Sequence, residues 1–236
     1  MNVSAWCIRN PIPAVMFFVL LTLVGLLGFQ QMKIQQFPDI DLPTESLVAM
    51  LERSVSEAGS HPAMEFFGRR TTYTELGEQI DRAAEGLRLL GVRAGDRVAL
   101  ILPNCPQHVV AFYAVLRLGG IVVEHNPLYT SRELRHQFEN HQARFVIAWE
   151  KAVAAVHSFP ADVEIDHVVS VNLLRAFPAV KRLALHLPAK KLRESRSALT
   201  CPAPGTIPWK KLLTHGRIDP DHARPSVEDL AVIQYT

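Results

Sequence analysis

The chain has 236 residues, with 25 Lys and Arg against 23 Asp and Glu and a formal net charge of +2. That length holds one or two domains with a core of useful size, which argues against a disordered chain or a disulfide-stapled miniprotein. The near-zero charge argues against a general nucleic-acid binder, and three separated cysteines (Cys7, Cys105, Cys201) form neither a disulfide framework nor a metal-ligand spacing.

Between Arg9 and Lys33 no residue is charged, and from Pro13 to Phe29 nearly every residue is apolar. Residues 10–32 would span about 34 Å as a helix, against a hydrocarbon core of about 30 Å. They predict a single membrane-spanning or signal-anchor helix in contact with membrane lipid. Pro11 and Pro13 fall at its start, where the first N–H groups lack intrahelical partners anyway. A secretory signal peptide fits less well, because the apolar stretch is long and no small-x-small cleavage site precedes Lys33. A buried core helix is the other alternative. Arg9 on one side and Lys33 with Arg53 on the other leave the orientation undecided by the positive-inside rule.

The stretch "AWCIRNPIPAVMFFVLLTLVGLLGFQQMKIQQFPDIDLP" resembles the first transmembrane helix of efflux permeases of the resistance-nodulation-division family. In that family "IRNP" precedes the helix and "FPDIDLP" leads out of it. The resemblance ends at Pro43 and divides the chain into a permease-like segment, 1–43, and a remainder, 44–236.

From residue 44 the pattern is that of a soluble α/β domain. "ESLVAMLERSVSEAG" places Leu47, Val48, Leu51 and Val55 at helical spacing, with Gly59 beyond the end. "AMEFFGRRTTYTEL" gives two short strands joined at Gly68-Arg69, and Thr74 is read as the cap of a helix running to Leu90. Leu76, Ile80, Ala83, Ala84 and Leu87 form the apolar face of that helix. A fully apolar strand 98–102, helix 106–118, strand 121–124, helix 131–141 and strand 144–148 follow. Alternating strands and helices imply a parallel sheet with right-handed crossovers, whose ligands lie beyond the carboxyl ends of the strands. The loops "LPNCPQ" and "VEHNPLYTS" are therefore the first places to look.

Residues 170–224 carry eleven basic and three acidic side chains and six prolines. They read either as a basic, partly amphipathic surface ("FPAVKRLALHLPAKKLR") for anionic lipid or an acidic ligand, or as a solvated excursion between core elements. "LAVIQYT" then predicts another buried strand.

"TYTEL", "GDRVAL", "LPN", "NPLYTSREL" and the terminal "DLAVIQYT", in this order, resemble the adenylate-forming ligases of the AMP-binding superfamily. The "HNPLYT" form and the basic excursion resemble the long-chain fatty-acyl-CoA branch. The resemblance implies an incomplete parallel-sheet α/β domain of the adenylate-forming ligase type, behind one N-terminal transmembrane helix. It also implies ATP, Mg²⁺ and CoA as cofactors and a long-chain fatty acid as substrate, adenylated first and then transferred to the thiol. In these ligases the strand ending in Tyr-Thr enters a Gly/Ser/Thr-rich loop that cradles phosphates. Here Thr236 alone corresponds to the start of that loop, and no residue is assigned to catalysis or to a metal. The expectation is an N-terminal fragment, inactive alone, in a single-pass membrane setting (the inner membrane if bacterial), with its ligase-like part cytoplasmic if it is to meet ATP. The alternatives are a membrane-anchored, non-catalytic binding module, or a fusion or truncation product without selected function.

Among single residues, Cys105 and His108 flank a helix start and read as a thiol–imidazole pair or, more blandly, as packing residues. His125, beside Asn126, lines an acyl or nucleotide pocket or is a turn residue ahead of Pro127. Gly119-Gly120 is a helix stop, not a phosphate loop. His136 and His141 lack a third ligand, so no metal site is expected.

Overall fold

The computed structural model describes residues 11–31 and 44–235, which fall in two separate compact units. The first holds helix α1 (Pro11–Gln31), 21 residues without an acidic first turn or a basic last turn. All its described side chains are exposed, among them Phe17, Phe18, Leu20 and Leu27. The helix falls where the apolar run predicts it. Over the described residues, however, no helix is long and apolar enough to cross a membrane. The spanning segment predicted over 10–32 is thus not carried by the described residues. Trp6, Cys7, Arg9 and Lys33 lie outside them.

The second unit opens with α2 (Leu47–Ala58), where Ser46 Oγ accepts from the Ala49 N–H at 3.2 Å. Strands β1 (Pro62–Phe66) and β2 (Arg69–Thr72) form an antiparallel hairpin. Its turn is Phe67-Gly68, both with positive φ (52° and 89°), so the hinge lies one residue earlier than the sequence reading placed it. Helix α3 (Tyr73–Leu89) is capped by Thr72, not Thr74. The Thr72 hydroxyl accepts from the Glu75 N–H while the Glu75 carboxylate accepts from the Thr72 N–H, a reciprocal arrangement that satisfies two end groups. Leu76, Ile80, Ala83, Ala84 and Leu87 are buried as the spacing predicts.

There follow β3 (Arg97–Ile101), α4 (Pro106–Arg117), β4 (Ile121–Glu124), α5 (Ser131–His141), β5 (Phe145–Trp149), α6 (Val153–His157), β6 (His167–Val171), α7 (Ala179–Ala184), α8 (Lys190–Leu199), β7 (Ile207–Pro208), α9 (Trp209–Leu212) and β8 (Val232–Gln234). The sheet order is β7-β6-β5-β3-β4-β8, and every pairing is parallel. One core joins α2, α3, α4 and α9 to the sheet; a second joins α5 and α6 to its other face. Gly119, at φ 72°, ends α4 by donating its N–H to Leu116 O at 2.8 Å, which makes Gly119-Gly120 the expected stop.

Two expectations change. The strand in "LAVIQYT" is not buried: β8 is the outer strand of the sheet, and Val232 is 39% exposed. The basic segment is also more than an excursion. It finishes β6, supplies β7 and α9, and buries Leu173, Leu174, Trp209, Leu212 and Ile218.

Candidate functional site

Chain direction across the sheet reverses at β3. The chain leaves β3 through α4 to reach β4 on one side, then crosses back through α5 to β5 on the other. The loops leaving β3 and β4 therefore part to opposite faces and open a crevice at their carboxyl ends, where open α/β sheets bind ligands. A cleft of about 500 Å³ occupies this position, lined by Leu102, Pro103, Asn104, His108, Glu124, His125, Asn126, Pro127, Tyr129, Gln234 and Tyr235. Both loops singled out in the sequence meet here.

The α4 side of the cleft begins with Cys105 at the N-cap and Pro106 at the first helical position. The Cys105 thiol is buried, and burial pushes it up to about 11, so it is a packing group and not a nucleophile. His108 does not pair with it. Its Nε2 lies 2.8 and 3.0 Å from the two Glu124 carboxylate oxygens at the end of β4. The carboxylate accepts from the ring N–H there, which orients the imidazole at the cleft. Both side chains are about one-fifth exposed at the cleft, at 21% each.

The α5 side is aromatic and dry. His125 is no turn residue: its N–H continues the ladder to Leu100 O at 3.0 Å, and its ring is buried. The ring stacks on Phe138 at 5.2 Å and on Tyr235 at 6.0 Å, and Nδ1 donates to Gln137 Oε1 at 2.6 Å. Burial lowers its pKa, which favours the neutral ring with an Nε2 lone pair that no protein group meets. Tyr235 is fixed by its hydroxyl, which donates to Asn140 Oδ1 at 2.7 Å. Behind it His141 accepts the Ala143 N–H on Nδ1 at 3.0 Å, and burial lowers its pKa to about 3. The connecting loop is locally determined. Asn126 Oδ1 accepts from the Leu128 N–H, and Thr130 caps α5 in a reciprocal pair with Glu133.

His136 is exposed and apart from His141 in environment, and among the described residues no group of three His, Cys, Asp or Glu side chains is placed to hold a metal. The cleft lining has no Lys or Arg. Its described residues suit an uncharged, partly aromatic or aliphatic group; they do not fit Mg²⁺ or a polyphosphate. Thr236, the predicted start of a phosphate loop, lies outside the described residues. Glu124, Gln137, Asn140 and Tyr235 were not singled out in the sequence. The usable signal was their position: Glu124 ends a strand, and Gln137 and Asn140 sit on one side of a capped helix.

A second cavity of about 450 Å³ lies between α2, α3 and the 217–220 loop. Its cations are already engaged: Arg224 with Glu52, Arg217 with Glu78, and buried Arg117 with the carbonyls of Asp219 and His222. It is a structural clamp.

The family described as AMP-binding enzyme matches residues 51–236. A long-chain-fatty-acid–CoA ligase of Bacillus subtilis (strain 168) is 30% identical over 208 residues, covering 84% of this chain and 35% of the relative. One from Escherichia coli O6:H1 is 32% identical over 206 residues, 83% of this chain and 36% of the relative. The chain thus spans about a third of the length of the curated relatives it matches. Among solved structures, an anthranilate CoA ligase in complex with anthranoyl-AMP aligns with a TM-score of 0.65 at 19% identity, over 84% of this chain and 33% of that one. A long-chain-fatty-acid-CoA ligase of Archaeoglobus fulgidus aligns with a TM-score of 0.60 at 20% identity, over 85% and 36%. Both share the fold.

Proposed function

Because the chain belongs to the AMP-binding enzymes, we propose that its second unit is the N-terminal part of a long-chain fatty-acid–CoA ligase, whose cleft receives the uncharged part of a ligand. The observation that carries this is the cleft itself. It stands at the reversal of strand order, is walled by the "LPN" and "HNPLYT" loops, and is aromatic on one side. In the whole enzyme ATP and Mg²⁺ would activate the acid and CoA would accept it. The residues present here do the non-phosphate work. His125, Phe138 and Tyr235 exclude water on the α5 side, and His108, oriented by Glu124, supplies a polar wall on the α4 side. Phosphate and Mg²⁺ contacts would fall to residues outside the cleft lining, and the chain alone is proposed to be inactive.

The test uses the full chain in nonionic detergent micelles. Titration with a fluorescent long-chain fatty acid and with AMP is expected to show binding that is weakened at least tenfold by Tyr235→Ala, while ATP, CoA and palmitate release no pyrophosphate. Turnover would refute the inactivity. Absence of any binding by the folded chain would refute the assignment of the cleft.

We further propose that the first unit anchors the chain in a membrane, the inner membrane if the cell is bacterial, with the second unit on the ATP-containing side. The charge-free run between Arg9 and Lys33 supports this reading. A reporter fused after residue 236 that is active only outside the cytoplasm would refute the orientation. Recovery of the full chain in the soluble fraction without detergent would refute the anchor.

A further inference from the structure

Between Asp166 and Glu194 the chain has no acidic residue but six cations: Arg175, Lys181, Arg182, Lys190, Lys191 and Arg193. Among the described residues none of the six forms an ion pair. Soluble surfaces intersperse both signs, so an unpaired single-sign stretch of this length marks a surface that meets an anion.

The same stretch is apolar where it should not be. Helix α7 has no buried residue, and Val180, Leu183 and Leu187 are 80, 72 and 55% exposed. Their spacing of three and four places them on one side, because the helix runs on as a turn: His186 and Leu187 donate to the carbonyls of Leu183 and Ala184 at 2.9 and 3.1 Å. This is no loose loop. Lys181 Nζ donates to Phe67 O at 2.8 Å, and Arg69 Nη1 donates to Arg175 O at 3.1 Å, which clamps α7 to the tip of the β1–β2 hairpin. Phe67, 56% exposed, stacks on Phe177 at 4.6 Å and adds an aromatic ring to the same region.

Beside this row of exposed aliphatic side chains, a cavity of about 670 Å³ takes Lys190 and Arg193 into its wall, but Glu150 and Glu194 line it too, so it does not suit an acidic protein. The row with its cations does match a layer that is anionic at its surface and apolar beneath. We propose that this face docks onto an anionic lipid bilayer, with Val180, Leu183 and Leu187 at the acyl boundary and Arg182, Lys190 and Lys191 at the level of the phosphates. Docking of this kind is independent of the ligase reading and of the anchoring by α1, since it belongs to the second unit alone.

The test compares the full chain reconstituted in phosphatidylcholine vesicles with the same vesicles containing about one-third phosphatidylglycerol, read by amide hydrogen exchange. Because α1 is common to both samples, a difference in residues 178–191 reports the face. Protection of these amides is expected on the anionic vesicles only. In the variant R182E/K190E/K191E the docking constant read from that protection should fall about a hundredfold, roughly fivefold per cation. The variant V180S/L183S/L187S should lose protection as well, and circular dichroism of both variants checks that the fold is intact. Equal exchange on neutral and anionic vesicles would overturn the proposal. So would protection in lipid-free micelles that grows with protein concentration, which would assign the face to a second copy of the chain.

Discussion

Lowering the pH should destabilise the second unit through His141, by an amount that follows from its surroundings. The ring is 3% exposed, accepts the Ala143 N–H on Nδ1, and leaves Nε2 without a partner. A second proton would have to sit on Nδ1, facing that N–H donor, in a site from which water is excluded. Burial is the main cause of the lowered pKa, from 6.5 to about 3, with His125 and Arg97 adding to it. The unfolded chain therefore binds more protons than the folded one throughout this interval, and stability rises with pH. The contribution is fully present above about pH 6.5 and is lost progressively down to about pH 3. At about pH 5 the loss is about 2 kcal/mol, being about 1.5 pH units below the unfolded pKa at about 1.4 kcal/mol each. The measurement is urea denaturation of the full chain in nonionic micelles at about pH 7.5 and about pH 5, for the wild type and for His141→Asn. Asn keeps an acceptor for Ala143 but does not titrate. It should be less stable at the higher pH, because the ring volume is lost, yet lose about 2 kcal/mol less than the wild type between the two. His125 adds a loss in the same direction in both proteins. Parallel pH dependences would refute the reasoning.

Gly86→Ala should lower stability by about 1–2 kcal/mol, because overpacking outweighs the helix-propensity gain of Ala. The new methyl would stand 2.8 Å from both Leu212 Cα and O, backbone atoms that cannot swing aside; urea midpoints measure this. Thr130→Ala should cost about 1 kcal/mol and raise the proteolysis rate within 126–130, since it removes the cap that ties the cleft loop to α5. Cys105 should resist iodoacetamide in the folded chain at about pH 8 and react only on unfolding, as expected of a buried thiol. Rapid labelling of Cys105 in the folded chain, read by mass spectrometry, would contradict its placement.

Most helices and the central strands were legible because their apolar periodicity is strong: α3 buries the residues that spacing predicts. What was missed has local causes. The Thr72 cap carries a clear signal in Thr-x-x-Glu, but the competing threonine two residues on drew the assignment. Strand β6 straddles the composition change near residue 170, so a boundary drawn by charge passed through it. Strand β7, at two residues, leaves no period to detect. The cleft pair was invisible for a different reason. His108 and Glu124 are 16 residues apart, and their contact exists only because β3 and β4 are neighbours in the sheet. Sequence proximity offered Cys105 as the partner of His108, whereas the first turn of α4 aims the ring at β4.

Glu124 and His125 show how the fold makes one cleft from two chemistries. Successive residues of a strand point to opposite faces, so neighbours in sequence are handed to different layers. Glu124 turns to α4 and meets His108, near water, in a polar pair. His125 turns to α5 and is enclosed by Gln137, Phe138 and Tyr235. Because the connections to α4 and α5 depart to opposite faces, the crevice between them exposes both layers to one ligand. On the function proposed above, the polar wall would meet the polar part of that ligand and the aromatic wall would cover its apolar part. A shift of β4 by one residue would exchange the two side chains, burying the carboxylate among aromatic rings and leaving His108 without its partner. The register Leu100↔Glu124 is therefore as much a feature of the site as any side chain in it.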